Sequence, residues 1–354
     1  MRMLKPALAV IAMAIMASPA MAQVPKAADG KPDLTGFWTH ASLTPLMRAP
    51  ANKTLVVNEE EAKRIAAAVP MAGVTEEGFK GATYSDPNKG APPKGAKDFG
   101  VQGYDSFWMD PGARLALVKG EWRTSYVVEP ANGQLPFVDP ADQTKKRLAN
   151  RERYETGNAA YEGPEATTLG ERCLVFSGLG GPGMGSGLYN NNYEMVQTPT
   201  HMMILAEQAH DARIVPIFAS AEKARASHKP GAIQPWLADT VGWWEGDTFV
   251  MESVNLKPLQ AENHSFPLSP DGVVTERFTR TGEKDIFYEY TVNDPSIYTQ
   301  PWKVELAFYP SSGVYEYACH EGNYGMHGIL AGAREKERQA AGLKTKTTKA
   351  KGGQ

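Results

Sequence analysis

The stretch from Val273 to Val292, VVTERFTRTGEKDIFYEYTV, decides how this chain folds. Two runs rich in β-branched and aromatic residues, Val273 to Arg280 and Ile286 to Val292, flank the polar turn Arg280-Thr281-Gly282-Glu283. That is the pattern of a β-hairpin. Downstream, Trp302 to Tyr309 and Val314 to His320 repeat it, with Pro310-Ser311-Ser312-Gly313 between them. Upstream, Met202 to Ile217 and Thr248 to Val254 have the same composition, and Glu245-Gly246-Asp247 links Trp243-Trp244 to the second. Each run is short and bounded by Gly, Pro, Asn or Asp, and long helical periodicity is absent. Successive antiparallel strands with tight turns predict a mainly β fold, a lipocalin-like antiparallel barrel spanning 166–335.

Around this core, 23–165 reads as an irregular N-terminal extension carrying first strands and short helices. Asp33 to Trp38 resembles an entering strand, and Trp122 to Val128 alternates as another. Asn58 can cap a short helix through Glu59-Glu60-Glu61 to Ala68, whose acids suit its positive end. Gly81 to Gly100, rich in Gly, Pro and Lys, predicts a loop, and Pro140 to Glu155 an exposed helix. The basic segment 336–354 predicts a disordered tail.

The chain starts like an export signal. Arg2 and Lys5 precede the apolar run Ala7 to Met16, and Ala20-Met21-Ala22 offers small residues to a signal peptidase. The run is short of the roughly 20 residues that span a bilayer, so 1–22 is expected to be removed and the protein to be periplasmic or secreted, without stable membrane insertion. In an oxidising compartment the only two cysteines, Cys173 and Cys319, are expected to form a disulfide, worth ~4 kcal/mol in the chain-entropy treatment. A net charge of −3 gives no reason to expect nucleic acid as a partner.

Strand periodicity nominates candidate site residues. Glu289 shares a face with Phe287 and Thr291; Glu316 and His320 share one with Val314 and Ala318; Glu207, Asp211 and Arg213 share another. A carboxylate on an apolar face is costly to bury alone, so these acids either pair with Arg172, Arg213 or Arg277 or line a wet cavity. Histidine suits acid–base work at neutral pH, which makes His210 and His320 the first candidates, with Glu289, Glu207 or Asp211 as carboxylate partners. Tyr189, Asn191, Trp244, Tyr288, Tyr298, Trp302, Tyr324 and Arg172 are candidate substrate-binding residues, since ligand pockets combine rings with a few polar groups. His40, His201, His228 and His264 sit in loop or edge contexts and read as surface residues. No metal is expected; if one were held, His210, His320 and His327 are the ligands to try, although two glycines between the last two argue against a helical site. Gly178 to Gly183 formally matches a dinucleotide fingerprint, but lacks the helix start and closing acid that such a site needs, and is read as a flexible loop over a pocket mouth. No nucleophile elbow surrounds Ser177 or Ser186.

Several long motifs, Arg123 to Pro136, Gly170-Glu171-Arg172-Cys173, YNNNYEMVQTP from Tyr189, EQAHDARIVP from Glu207, DTVGWWEGDTFVME from Asp239, ERFTR from Glu276 and YEYACHEGN from Tyr315, resemble a large family of secreted bacterial proteins with no settled activity. The resemblance covers most of the chain after about residue 105 and implies export and a shared fold. The family pattern lacks a histidine at the position of His327, which weighs against metal binding there.

These readings lead to an expected cofactor-independent enzyme of the lyase, isomerase or hydratase kind, acting on a small aromatic, terpenoid or sugar-derived molecule. The alternatives are a non-catalytic lipocalin-like ligand-binding protein and a metal-dependent oxidase or hydrolase.

Overall fold

The computed structural model describes residues 24–69, 110–155, 161, 163–176, 178–262, 264–321 and 323–343. The expected signal segment, the loop from Gly81 to Gly100 and the tail from 344 onward lie outside the described residues. The N-terminal part holds strands β1 (Gly36–Thr39) and β2 (Val56–Val57), helix α1 (Glu59–Ala68), strands β3 (Leu117–Val118), β4 (Glu121–Arg123) and β5 (Val127–Glu129), and helix α2 (Pro140–Glu155). It is followed by β6 (Asn192–Gln197), β7 (His201–Ala206), β8 (Ala212–Phe218) and the short helix α3 (Ala221–Arg225). The order ends with β9 (Asp239–Glu245), β10 (Thr248–Val254), α4 (Pro258–Glu262), β11 (Val273–Arg280), β12 (Ile286–Asn293), β13 (Trp302–Pro310) and α5 (Tyr324–Ala340).

Strand β1 and strands β6 to β13 pair in order, and β1 also pairs with β13, closing a nine-stranded barrel. The expected barrel is therefore present. Eight of its pairings are antiparallel; β8 and β9 alone run parallel, because the helix-bearing connection through α3 carries the chain across before it re-enters the sheet. Alternation aims Phe278, Tyr288, Tyr290, Trp302 and Phe308 inward, where all are buried. Their rings pack mostly edge-on or tilted, with Phe278 and Tyr288 4.7 Å apart and Tyr288 and Phe308 5.5 Å apart. Rings of this size contribute roughly 1.5–3 kcal/mol each on burial, so this wall carries much of the core.

Helix α1 forms where expected, with the Asn58 side chain accepting from the Glu61 amide, and α2 spans the expected residues. Three expectations need correction. The strand read over Trp122 to Val128 is two strands in two sheets. It breaks at Thr124-Ser125-Tyr126, where the Thr124 and Tyr126 amides bond to Leu55 and Pro45 instead of a ladder. Val314 to His320 forms no strand: β13 already pairs with β12 on one side and with β5 and β1 on the other, so no sheet edge is left to accept it. Helix α5 then runs through Gly325, Gly328 and Gly332 despite their poor propensity, started by the Asn323 side chain accepting from Met326, and it continues past the expected start of the tail to Ala340. Among the described residues no helix is long and apolar enough to cross a membrane.

Candidate functional site

The glycine-rich segment 178–187 is the centre of the site, and it is a plug inside the barrel end rather than a flexible flap. Leu179 and Met184 are buried, Met184 fully so. The segment is held from several directions. The Met184 amide donates to the Tyr288 hydroxyl (2.9 Å), the Gly185 amide to the Gly178 carbonyl (2.8 Å) and the Gly187 amide to the fully buried Asn191 side chain (2.8 Å). Gly181 and Gly183 explain the composition. Both have positive φ, and a Cβ would lie 2.6 Å from the Arg213 guanidinium carbon at Gly181 and 2.8 Å from the Phe266 ring at Gly183. These glycines serve close approach.

Under the plug, Arg213 of β8 forms a forked ion pair with Glu276 of β11, one arm at 3.0 Å, with both side chains essentially inaccessible. Burial works against the Arg213 charge and the Glu276 carboxylate outweighs it, holding the guanidinium above its ordinary pKa. The Tyr288 hydroxyl donates to Glu276 (2.6 Å) while accepting from Met184, so the ion pair anchors the plug. Burial, reinforced by Glu276, pushes the Tyr288 phenol well above its usual range, so it stays protonated.

Between the plug and the barrel wall lies a cleft of about 480 Å³, lined by Thr44 to Leu46, Tyr126, Phe176, Ser186, Tyr189, Tyr290 and Leu306 among others. None of its lining side chains is charged or is a histidine. Its polar wall is a connected chain. Ser42 Oγ accepts from the Thr44 amide and lies 2.6 Å from the Tyr126 hydroxyl, and the Tyr126 hydroxyl lies 2.8 Å from Ser186 Oγ. Ser186 Oγ lies 3.1 Å from His40 Nδ1 and 2.9 Å from the His40 carbonyl. His40 Nε2 is 2.8 Å from the Tyr193 hydroxyl, which donates to the Leu179 carbonyl. With the Tyr193 proton used on Leu179, Nε2 is the donor nitrogen of neutral His40, and Nδ1 lies beside Ser186, whose own proton goes to the His40 carbonyl. Burial lowers the His40 pKa to about 4, so this imidazole is neutral near pH 7. The amides on either side of Ser186 are committed within the plug, and no carboxylate backs His40, so the pair lacks the supports of a serine-hydrolase nucleophile.

A second chamber of about 370 Å³ is lined by Thr168 to Glu171, Val175, Tyr317, and the two residues it shares with the first, Phe176 and Tyr189. The disulfide Cys173–Cys319 stands beside it, with Cα atoms 5.7 Å apart, and confirms the expected pairing. The tight turn after β7 shapes this region. Ala209 and His210 both adopt left-handed backbone, as do Cys173 and Asn190, and non-glycine residues in that region carry strain that concentrates at working sites.

The sequence-nominated catalytic set does not assemble. Glu289 lies on the outer barrel face, because its neighbours Tyr288 and Tyr290 take the inward positions. There it bridges Arg277 (3.3 Å) and Lys303 (2.7 Å) in a ladder that extends to Glu245, Glu305 and Arg123. His210 and His320 are exposed. His210 Nε2 sits 3.3 Å from both the Tyr315 carbonyl and the Tyr317 amide. Glu207 is buried, accepting from Asn190 (2.8 Å), Asn192 (3.0 Å) and the Tyr315 amide (2.9 Å). Asp211 accepts from the Phe176 amide (3.2 Å), and burial raises its pKa to about 6. Thus Glu207, His210 and Asp211 hold backbone around the second chamber, while Glu289 stands on the outer barrel face and His320 is an exposed residue following Cys319 of the disulfide.

Of the nominated binding residues, Tyr189 lines both chambers and Asn191 braces the plug. Tyr288, Tyr298 and Trp302 are core rings, and Trp244 packs partly buried against Phe249 on another part of the barrel. Arg172 is half-buried in the segment leading to Cys173, and Tyr324 is exposed on α5. His320 and His327 are both exposed, and among the described residues no group of three or more His, Cys, Asp or Glu is arranged to hold a metal, so the alternative His210, His320 and His327 set does not form.

Two histidines read as surface residues are buried: His40, and His264, whose ring lies 4.4 Å from that of Phe266 and whose pKa burial lowers to about 4. His40 had a signal, since it stands two positions after the inward Trp38 of β1. Tyr126 had one too, on the face of Trp122 and Thr124. Ser186 had none, because its position depends on how the plug closes. Comparisons with family models, with curated proteins and with solved structures find no match for this chain.

Proposed function

We propose that this chain binds a small uncharged molecule with a hydroxyl or carbonyl group on an apolar, ring-bearing frame, in the cleft between the plug and the barrel wall. The observation that carries the reading is the composition of that wall. Rings and aliphatic side chains surround a few hydroxyl groups and the buried Gln208 carboxamide, and no lining side chain carries a charge. A charged ligand entering there would lose its hydration without gaining a counter-ion. The Tyr126 phenol, pushed above its usual pKa by burial, and Ser186 supply the polar contacts. The disulfide is compatible with an oxidising compartment, so the site is read as working outside the cytoplasm.

Titration calorimetry with 4-ethylphenol and 4-ethylbenzoate tests this. The phenol should bind at least tenfold more tightly than the carboxylate. Ser186→Ala should weaken the phenol about tenfold, the worth of a hydrogen bond near 1.4 kcal/mol. Equal affinity for the charged and neutral probes would reject the reading.

A second reading, proton-transfer catalysis of the lyase, isomerase or hydratase kind, is favoured by the run of close polar contacts from Ser42 through Tyr126, Ser186 and His40 to Tyr193, which becomes continuous when the Ser186 hydroxyl turns from the His40 carbonyl to Nδ1. Such a chain can pass a proton between the cleft and a neutral imidazole. Exchange of deuterium from D₂O into a bound ligand, abolished in His40→Gln while binding persists, is the expected sign. Exchange unaffected by that variant removes His40 from the chemistry.

A further inference from the structure

The cleft does not end at its polar strip. The two chambers share Phe176 and Tyr189 and no other lining residue, so these two side chains form a waist between an inner space of about 480 Å³ and an outer one of about 370 Å³. The waist is constructed with care. The Phe176 amide is held by Asp211 (3.2 Å), and the ring of Phe176 meets that of Tyr317 edge-on with centroids 5.6 Å apart. Tyr317 belongs to the segment 314–320, which has no sheet partner and is tied instead by Glu207 at Tyr315, by His210 at Tyr317 and by the disulfide at Cys319. Three separate tethers fix one irregular strap so that a tyrosine lines the outer chamber.

We propose that the two chambers form one elongated site for a molecule made of two hydroxylated aromatic rings joined by a short linker, one ring in each chamber and the linker at the waist. This rests on the binding reading above and names its substrate class. Aromatic rings fit better than sugars for a physical reason. The inner lining sets Leu46, Leu179, Val304 and Leu306 among the rings of Phe176, Tyr126, Tyr189 and Tyr290, and of its hydroxyls Thr44 is spent on the Arg123 carbonyl while Tyr126 and Ser186 are spent on each other, on Ser42 and on His40. A sugar ring, with a hydroxyl on most carbons, would bury several of them unpaired, at about 1–3 kcal/mol each. The outer chamber adds one charged residue, Glu171, whose Oε2 accepts from the Thr168 amide and hydroxyl (2.8 and 3.0 Å); a carboxylate in the lining can accept from a ligand phenol. Glu207, His210 and Asp211 act as positioning residues for the waist.

The test uses the full chain and three probes in titration calorimetry: 4,4′-dihydroxybibenzyl, its single-ring half 4-ethylphenol, and cellobiose. The two-ring probe should bind at least tenfold more tightly than the half. Tyr317→Ala should cost the two-ring probe about tenfold and leave 4-ethylphenol unchanged, while His210→Ala should show the same split more weakly. Equal affinities of the two phenols, or a Tyr317→Ala loss shared by both, overturns the two-chamber site but leaves the inner binding reading standing. Tighter binding of cellobiose overturns the aromatic assignment. Failure of all three probes to bind overturns the two readings together.

Discussion

The wall of this barrel and its mouth are built by different means. Along β9 to β13 the backbone satisfies itself. Seven-, eight- and nine-residue strands pair in unbroken register, and short turns connect β9 to β10 and β11 to β12. At the mouth there is no ladder. The plug 178–187 and the strap 314–320 are held by side chains reaching to backbone: Asn191 to Gly187, Tyr288 to Met184, Glu207 to Tyr315, Asp211 to Phe176. Ladders tolerate substitution because many equivalent bonds share the load. A mouth built from single bonds concentrates its stability in few residues, and it is the part that can be shaped for a ligand.

The largest expected effect comes from the joint between the two regions. Arg213→Met leaves the Glu276 carboxylate buried without its counter-charge and should cost roughly 3–5 kcal/mol in urea denaturation. The double variant Arg213→Met with Glu276→Leu should recover much of that loss, since well-packed apolar replacement of a buried pair is often neutral. A single variant as stable as the parent would mean that the pair does not hold the plug to the wall.

Next in size is the disulfide. Cys173 and Cys319 are 146 residues apart, and the chain-entropy treatment puts closure of such a loop at about 4–5 kcal/mol, with typical measured values nearer 2–4. The double serine variant should lose stability on that scale and become sensitive to proteolysis within 314–323 first, while far-ultraviolet circular dichroism of the barrel is kept below the melting point. Simultaneous loss of both signals would show that strap and barrel unfold as one unit, erasing the contrast drawn between them.

Acid should act on the mouth before the ladder. His40 and His264 each have a folded pKa of about 4 against 6.5 for the unfolded side chain. A depressed histidine contributes fully above pH 6.5, and that contribution is lost as pH falls toward 4, by roughly 2–3 kcal/mol per residue at pH 4.5. Two groups oppose the loss. Asp211, raised to about 6, is favoured in the fold as it takes up its proton, and His228, raised overall because its contacts with Glu252 and Asp239 outweigh burial, gains as it charges. The net fall between pH 7 and 4.5 should therefore be smaller than the two histidines alone imply, and His264→Gln should shrink it by more than half. An unfolding free energy that falls equally in the parent and in that variant would exclude His264 from the acid response.

What could be read in the sequence follows the same division. Strand alternation found the barrel from β7 to β13, the Asn58 cap found α1, and the count of cysteines found the disulfide. Those signals are local, or need only pairing. The mouth was misread for a physical reason: periodicity cannot distinguish inner from outer faces when both carry charge. Glu276 and Glu289 both sit on strands among aromatics, yet Glu276 is sealed inside against Arg213 and Glu289 faces out. Likewise, Val314 to His320 has strand composition but no edge to join, a fact set by the closure of β1 on β13 far away in sequence. Ser186 and His40 meet only because the plug folds inward.

Glu289 gives the smallest expected effect and the sharpest check on that distinction. Its carboxylate is shared between Arg277 and Lys303 on the outer face, and its side chain keeps 17% of its surface exposed. Solvent screens such pairs, so Glu289→Ala should lower stability by about 1 kcal/mol or less. Affinity for a cleft ligand should be unchanged, because Tyr288 and Tyr290 take the inward positions and the Glu289 carboxylate bonds only on the outer face, to Arg277 and Lys303. The same truncation at Glu276, one strand away and on the inward face, removes the partner of a sealed guanidinium and belongs with the largest losses. Charge and strand membership are alike in the two residues; the side of the wall sets the size of the effect. A Glu289→Ala variant that weakened ligand binding would place the working surface outside the barrel, against the cleft as the binding site.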